Sequence, residues 1–545
     1  MSSSASSSSS QPGPTPRSTS DPILRNALRY TVSEREYKLL HQYLISRAPA
    51  VRKRTIKPAR YEAIIKSHGD YNAAAVRASL RVFLGTYSAL KLWELVIERL
   101  FNKNGGKKAK AAVKAPNLRI SASFSLILLF HRLLYRFFTR LRQSLLTDSA
   151  KPFRRRNPRV ARGLTSRLAP AVGAGLSGLL LGLCPADQLR TTITIYVFTR
   201  ALEFGYNGLE ENGWFKSRPW WFGSWLLMPA ACGQLLHAFV FDRDCFPESY
   251  GRFILQNSPE YIQRRPAGYP THRPWPGTFD VVDSLAEISR LRWPKFTSPI
   301  LFPQTALPSS LSRISPITSP AHPSHTHLSC ALLHPHDPSC SRTYITYFIR
   351  AFPPIARFFT LIFTTLSLLR FRSFAASPLS FTNHLAARIL RMSAFITAAI
   401  GTAWGTICFF QHVLPSRVLP TQRWFLGGFL AGMWAFLERK GGRDNFLYSV
   451  RLSLDSLWKV GVKRGWWKGV RGGDVVLFAA SAVLINVVYE VKPNAVEGGV
   501  VRKSLGMLRG EGWVDRVRAT GEEGEKPEEG EGGVGEDTGE VEKKD

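Results

Sequence analysis

Residues 168–186, LAPAVGAGLSGLLLGLCPA, carry no charge, and no other stretch narrows the possible folds as far. Polar groups cannot be left bare in hydrocarbon, and at about 1.5 Å per residue such a run crosses most of a roughly 30 Å layer. The run predicts a membrane helix. Gly175, Gly178 and Gly182 recur along it, and the Gly178/Gly182 spacing puts two positions without side chains on one face, where another helix backbone can come close. The helix is expected to stop at Cys184-Pro185. A shorter segment follows, with Tyr196, Arg200 and Glu203 within about two turns.

The same succession of features is written a second time. From Trp424 the chain reads WFLGGFLAGMWAFLERKGGRDNFLYSVRLSLDSLW, with Gly428 and Gly432 four apart, then Tyr448, Arg451 and Asp455. Each copy continues with a tryptophan pair (Trp220-Trp221, Trp466-Trp467), an apolar run, an acid (Asp244, Glu490) and a proline (Pro247, Pro493). Trp221 to Pro247 and Trp467 to Pro493 are equally long, although the spacing ahead of the tryptophans differs. Hydrophobic segments repeated in two halves are a recurrent construction of polytopic proteins. The expected fold is therefore all-α, a polytopic membrane helix bundle of two diverged repeats, with disordered termini and a long extramembrane central loop.

A formal charge of +34 would suit a nucleic-acid binder as well as a membrane surface, so its distribution decides. Lys and Arg gather beside apolar runs, at 52–60, at 103–119 and in KPFRRRNPRVARGLTSR, which ends at Arg167. Loops held on one side of a membrane have this pattern, and no nucleic-acid partner is expected. Of the six cysteines, Cys184, Cys232 and Cys408 lie in apolar runs and should behave as small hydrophobes. The chain does not open on a basic segment followed by an apolar core, so a cleavable secretory signal is not expected.

In order, the sequence divides into a disordered Ser/Pro-rich tail (1–22), amphipathic helices and basic linkers (23–120), a first membrane half (121–246), an extramembrane loop with a His/Cys cluster (247–343), a second membrane half (344–495) and a disordered acidic tail (496–545). The tails hold too few apolar residues to offset the entropy of ordering. Arg81, Lys91, Glu94 and Glu98 argue against a lipid-exposed span at 61–102. In the first half 219–241 is long enough to cross and 121–141 is short. In the second, Pro353-Pro354 should break the chain before a short segment at 358–369, and 393–416 has full length. Segments 424–437, 445–460 and 475–489 complete the second copy. The loop should hold helices at 246–262 and 279–291 and an extended polar stretch, SRISPITSPAHPSHTHLS.

The densest chemistry lies in HPSHTHLSCALLHPHDPSC, with His322, His325 and His327 ahead of Cys330, His334, His336 and Cys340. Thiolate and imidazole are zinc ligands, and Cys330, His334 or His336, and Cys340 could close a tetrahedral site, although no standard finger spacing is matched. A Cys330–Cys340 bridge and a turn with free thiols are the other readings, and no other cofactor is expected. Arg200/Glu203 and Arg451/Asp455 stand three and four residues apart, so each pair can meet on one helix face, as mutual neutralisation or as a polar path. No nucleophile elbow, zinc-protease helix or phosphate loop occurs, and Ser456-Leu-Trp-Lys459 lacks supporting motifs, so no catalytic residue is expected.

Several stretches together resemble the transmembrane protein 135 family, in particular its fungal integral and peroxisomal membrane branch. They are LRNALRYTVSEREYKLLHQYLISR, YNAAAVRASLRVFLGTY, the Gly-rich run with YVFTRALE, DRDCFPESYGRFILQNSPEYIQRRP and SCALLHPHDPSC, over about Leu24 to Pro493. More distantly, the Gly-rich helices are similar to those of mitochondrial inner-membrane translocase channel subunits. The resemblance implies a polytopic protein of the peroxisomal membrane, or alternatively of mitochondria. It would act without catalysis in lipid and fatty-acid homeostasis or transport, with bilayer and lipid as partners. The alternative is a scaffold for organelle division or protein import, with a membrane enzyme third.

Overall fold

The structure is a computed structural model that describes residues 22–48, 55–67, 71–101, 114–215, 217–304, 307–368, 374–375 and 377–517. Among these residues the named elements are all helical, with an isolated antiparallel bridge between Lys295 and His327. Helices α1 (Pro22–Thr31), α2 (Glu34–Tyr43) and α3 (Pro58–Ser67) precede two long ones, α4 (Tyr71–Phe101) and α5 (Lys114–Leu146). Next come α6 (Lys151–Arg156) and α7 (Pro158–Thr165), each with a proline in its first turn, where no partner for its missing N–H is needed. The glycine-rich run forms α8 (Ala169–Gly175), which tightens into a 3-10 segment, Leu176–Leu183. The side chain of Asp187 caps α9 (Gln188–Glu211), and α10 (Leu227–Phe241) follows.

The connecting segment carries α11 (Glu248–Gln256), α12 (Thr278–Arg290), α13 (Ser315–Thr318) and α14 (Leu328–Leu333). Beyond it lie α15 (Cys340–Leu368), α16 (Pro378–Val413) and α17 (Arg423–Gly432), which also tightens into a 3-10 segment, Met433–Glu438. The chain continues through α18 (Arg443–Lys463), α19 (Gly473–Val491) and α20 (Gly499–Arg509).

Two compact units result, and neither is a sequence half. The first takes Met1–Arg190, Arg200–Trp214 and Gly472–Asp545; the second takes Thr191–Thr199 and Phe215–Arg471. In the first unit α4 packs along α5, and the glycine run packs between α5 and α19. A Cβ on Gly175 would overlap the backbone of Val483, and one on Gly178 would sit 2.8 Å from Ala479 Cα. Gly182 is looser, 3.7 Å from the Val475 side chain, so the close face is Gly175/Gly178 instead of Gly178/Gly182. A buried polar network fastens α20 here: His131 bonds Asn486 (3.0 Å) and Leu508 O (3.2 Å), and the wholly buried Arg509 pairs with Glu490 at 2.5 Å.

In the second unit α15 packs along α16, and α17 packs on α16 and α10. A Cβ on Gly428 would overlap the Cys232 carbonyl, and one on Gly432 would lie 2.5 Å from Pro229 Cα. The connecting segment is part of this unit's core. Val281, Leu285 and Ile288 on α12 and Leu311, Ile314 and Ile317 beyond it are buried together with Tyr261, Tyr347 and Trp404.

Among the described residues five helices are long and apolar enough to cross a membrane, Pro116–Leu146, Ser224–Phe241, Cys340–Ser367, Pro378–Val413 and Gly473–Val491, or up to six if the pair Pro158–Thr165 and Ala169–Leu183 is one span. Such a set is compatible with a multi-pass membrane protein. In α15 only 17% of the most apolar window is buried, and Ile345, Ile349 and Leu361 stand exposed. Lipid would cover that surface without the cost water imposes.

Several expectations need correction. Within the run 168–186, Ala169–Leu183 qualifies as a span only together with Pro158–Thr165, from which it bends by 81°, and its glycines serve close packing. Helix α15 runs through Pro353 and Pro354, whose rings lie on the exposed side. The short candidate at 121–141 belongs to a 33-residue helix. The stretch SRISPITSPAHPSHTHLS is packed: Leu311 and Ile314 share a side of the 3-10 segment Ser309–Ile314, and Ile317, three residues on in α13, is buried with them. The tail assigned to 496–545 begins with a helix, α20, whose Leu505 and Arg509 are buried. Its remainder from 518, and residues 1–21, lie outside the described residues.

Candidate functional site

The second unit contains a partly open cavity of ≈ 260 Å³. Helices α16 and α17 line it with short side chains, Ala399, Ala403, Gly428 and Ala431, alongside rigid rings, Phe239, Phe359, Phe395 and Trp424. Rings in a close-packed interior cannot collapse into such a gap, so the space persists. Polar groups enter the wall at Cys232, Tyr250, Asn445, Tyr448 and Ser449. Burial pushes the Tyr250 phenol well above its ordinary pKa, so it stays a neutral donor. The chamber can therefore hold an apolar chain and offer a hydrogen bond to its polar end.

A second constellation gathers at the end of the hairpin where α15 begins and α16 finishes. Cys330 on α14, His334 at the end of α14, Cys340 at the start of α15 and Cys408 near the end of α16 bring their ligand atoms within 4.8 Å of one another. Cys330 Sγ lies 3.8 Å from Cys340 Sγ, and Cys408 Sγ lies 3.4 Å from His334 Nε2. The Asp337 carbonyl can only accept, so His334 Nδ1, 2.7 Å away, donates to it and Nε2 is turned to the sulfurs. Burial alone would lower the pKa of His334, but its hydrogen bonds to Cys330 and Cys340 outweigh this and push it up to about 10. The cysteines are free, and His412 Nε2 stands 3.9 Å from Cys340 Sγ.

No protein-family model, curated protein or solved structure matches this chain.

Among the residues singled out from sequence, Cys330, His334 and Cys340 meet, whereas His336 is exposed and outside the cluster. Its place is taken by Cys408, which was assigned to packing. A signal existed: CFFQH sets Cys408 and His412 one turn apart on one helix face. Gly175, Gly178, Gly428 and Gly432 lie at helix contacts, with Gly182 at the margin. Arg200 and Glu203 form an ion pair at 2.7 Å, with the Glu203 side chain buried. Asp455 pairs with Lys459 at 2.7 Å, while Arg451 donates to Thr199 Oγ1 at 2.8 Å and lies over the Tyr196 ring. Ser456 Oγ accepts from Gln234, so Ser456 and Lys459 are each engaged elsewhere.

Proposed function

We propose that this chain is a multi-pass organelle-membrane protein of the transmembrane protein 135 type that handles lipid by taking an acyl chain into the cavity of its second unit. The cavity carries the reading: its wall of Met, Leu, Ile and Phe side chains complements a hydrocarbon chain, and Tyr250 supplies a donor for a carboxyl or ester. The peroxisomal membrane is the favoured address, with mitochondria the alternative, and a tagged copy imaged against markers for both decides between them.

The test of binding uses the full chain in lipid nanodiscs and a diazirine-bearing palmitate as probe. Ala399→Phe places a ring in the chamber. It should weaken saturable crosslinking about tenfold, equivalent to about 1.4 kcal/mol, at an unchanged melting temperature. Equal labelling of the two proteins would refute the reading. A scaffold for organelle division or import draws on a different observation: Ile300, Leu301 and Phe302 are exposed together on the connecting segment. Capture of cytosolic partners through that tip, without lipid binding, would favour it.

The same proposal includes an internal duplication. Its support is that each unit sets a long helix pair against a glycine-notched helix, which tightens into a 3-10 segment and is covered by a closing helix, α19 or α10. Each closing helix leads into a 3-10 turn, Arg243–Cys245 or Pro493–Ala495, and a short amphipathic helix, α11 or α20.

A further inference from the structure

We propose that Cys330, His334, Cys340 and Cys408 bind one zinc ion as a closed structural site that fastens the connecting segment to the α15/α16 hairpin. The argument is first geometric. Zinc–sulfur bonds of about 2.3 Å and zinc–nitrogen bonds of about 2.0–2.1 Å, set at tetrahedral angles, place two sulfurs about 3.8 Å apart and a sulfur and a nitrogen about 3.6 Å apart. The corresponding distances are 3.8 Å for Cys330 to Cys340 and 3.4 Å for Cys408 to His334. A disulfide needs sulfurs at about 2.05 Å and would leave Cys408 and His334 facing one another with no role.

The second support is the way His334 is held. Its Nδ1–H is committed to the Asp337 carbonyl, which fixes the ring and turns Nε2 toward the thiols. Metal-binding histidines are oriented in this manner by a carbonyl or carboxylate behind them. Edge-on to His334, at 5.1 Å between ring centres, stands the buried His325, which keeps the ring from swinging aside.

Three thiolates and a neutral imidazole around Zn²⁺ leave one net negative charge, and His412, 3.9 Å from Cys340 Sγ, can donate to the sulfur that carries it. The remaining thiol protons and the proton on His334 Nε2 leave to solvent as the metal enters. Four protein ligands leave no open position, so the site is structural, and soft sulfur with one imidazole in tetrahedral array selects zinc over magnesium or calcium. The loop ligands come from a short helix and the turn after it, and the others from two long helices. One ion therefore joins three stretches that sequence alone leaves separate.

The experiment measures metal in the full chain, purified in detergent without chelator. Elemental analysis should give one zinc per chain. Exchange with cobalt should give the intense visible bands of tetrahedral sulfur-ligated Co²⁺. Cys408→Ser should lose at least nine-tenths of the metal, whereas His336→Ala should keep it. The cobalt spectrum of the unaltered chain needs no variant, so a Cys408→Ser protein that fails to fold leaves the test intact. A metal-free chain with a Cys330–Cys340 disulfide found by mass spectrometry would overturn the proposal, as would a metal-free chain in which Cys330, Cys340 and Cys408 are three reactive thiols.

Discussion

Gly432→Ala and Gly85→Ala are the same chemical change in two helices, and the structure gives them opposite signs. At Gly432 a new Cβ would lie 2.5 Å from Pro229 Cα and 2.7 Å from Met228 O, both backbone atoms that no rotamer can move, where ordinary contact begins near 3.4 Å. Helices α17 and α10 must then separate by about 1 Å, which forfeits roughly a quarter to a half of the dispersion energy of each contact between them. Overpacking of this kind costs about 1–3 kcal/mol, and rigid opposing atoms argue for the upper end. Helix propensity returns about 1 kcal/mol, for a net loss of about 2 kcal/mol, roughly thirtyfold in the unfolding constant. At Gly85, within α4, a Cβ would meet nothing within 4 Å. There the propensity gain of about 0.8–1.0 kcal/mol stands alone. Reversible unfolding of the full chain in mixed micelles, titrated with a denaturing detergent, reads both. If the two variants shift the midpoint in the same direction, the close approach of α17 to α10 is wrong.

Other expectations follow from buried contacts. Arg509→Met removes a side chain with no exposure, whose guanidinium bonds Glu490 and the Asn486 carbonyl. Breaking a buried pair costs about 3–5 kcal/mol; Arg516, 3.8 Å from Glu490, compensates in part, so about 3 kcal/mol should be lost. Adding Glu490→Gln should restore part of that loss in the same unfolding assay, and a double variant no better than the single one would show the pair to be unimportant. Ile314→Ala should cost about 2–5 kcal/mol and speed proteolysis of the connecting segment, because Ile314 is wholly buried there. A loop free of the core would show neither effect.

The all-α class and the candidate spans near 219–241, 393–416 and 475–489 were legible because they rest on local quantities, run length and absence of charge, which need no knowledge of the partner surface. Arg200 and Glu203 were legible for the same reason, since a spacing of three fixes their meeting within one helix. What failed depended on contacts from elsewhere. Which two of Gly175, Gly178 and Gly182 face a neighbour is decided by where α19 places Val483 and Ala479, and α19 is written almost three hundred residues later. Cys408 was hidden likewise: alone in an apolar helix it is a small hydrophobe, and only the folding of α14 and α15 beside it makes it a fourth ligand. The connecting segment misled through composition. Its serines and prolines outnumber Leu311, Ile314 and Ile317, yet all three are buried: a 3-10 turn brings Leu311 and Ile314 to one side, and Ile317 follows on α13.

The division into units explains why sequence halves and compact bodies disagree. Helix α8 follows α5 closely, but the helix that covers its glycine face, α19, comes from the far end of the chain; α17 is covered by α10, from well before it. Each glycine-notched face is thus covered by a helix distant from it in the chain. In the first unit this means the Gly175/Gly178 surface stays open until α19 exists, and contacts of such sequence separation form late because loop closure must precede them. A bilayer reduces the hazard of that delay, since lipid can occupy an apolar face that would aggregate in water. It also explains the glycines themselves: between helices already in lipid, hydrophobic burial offers little drive, so association depends on how closely two backbones can approach. For helices that meet inside a bilayer, the glycine notches and the distant covering helices would have one physical origin, docking of preformed helices whose backbones can approach closely.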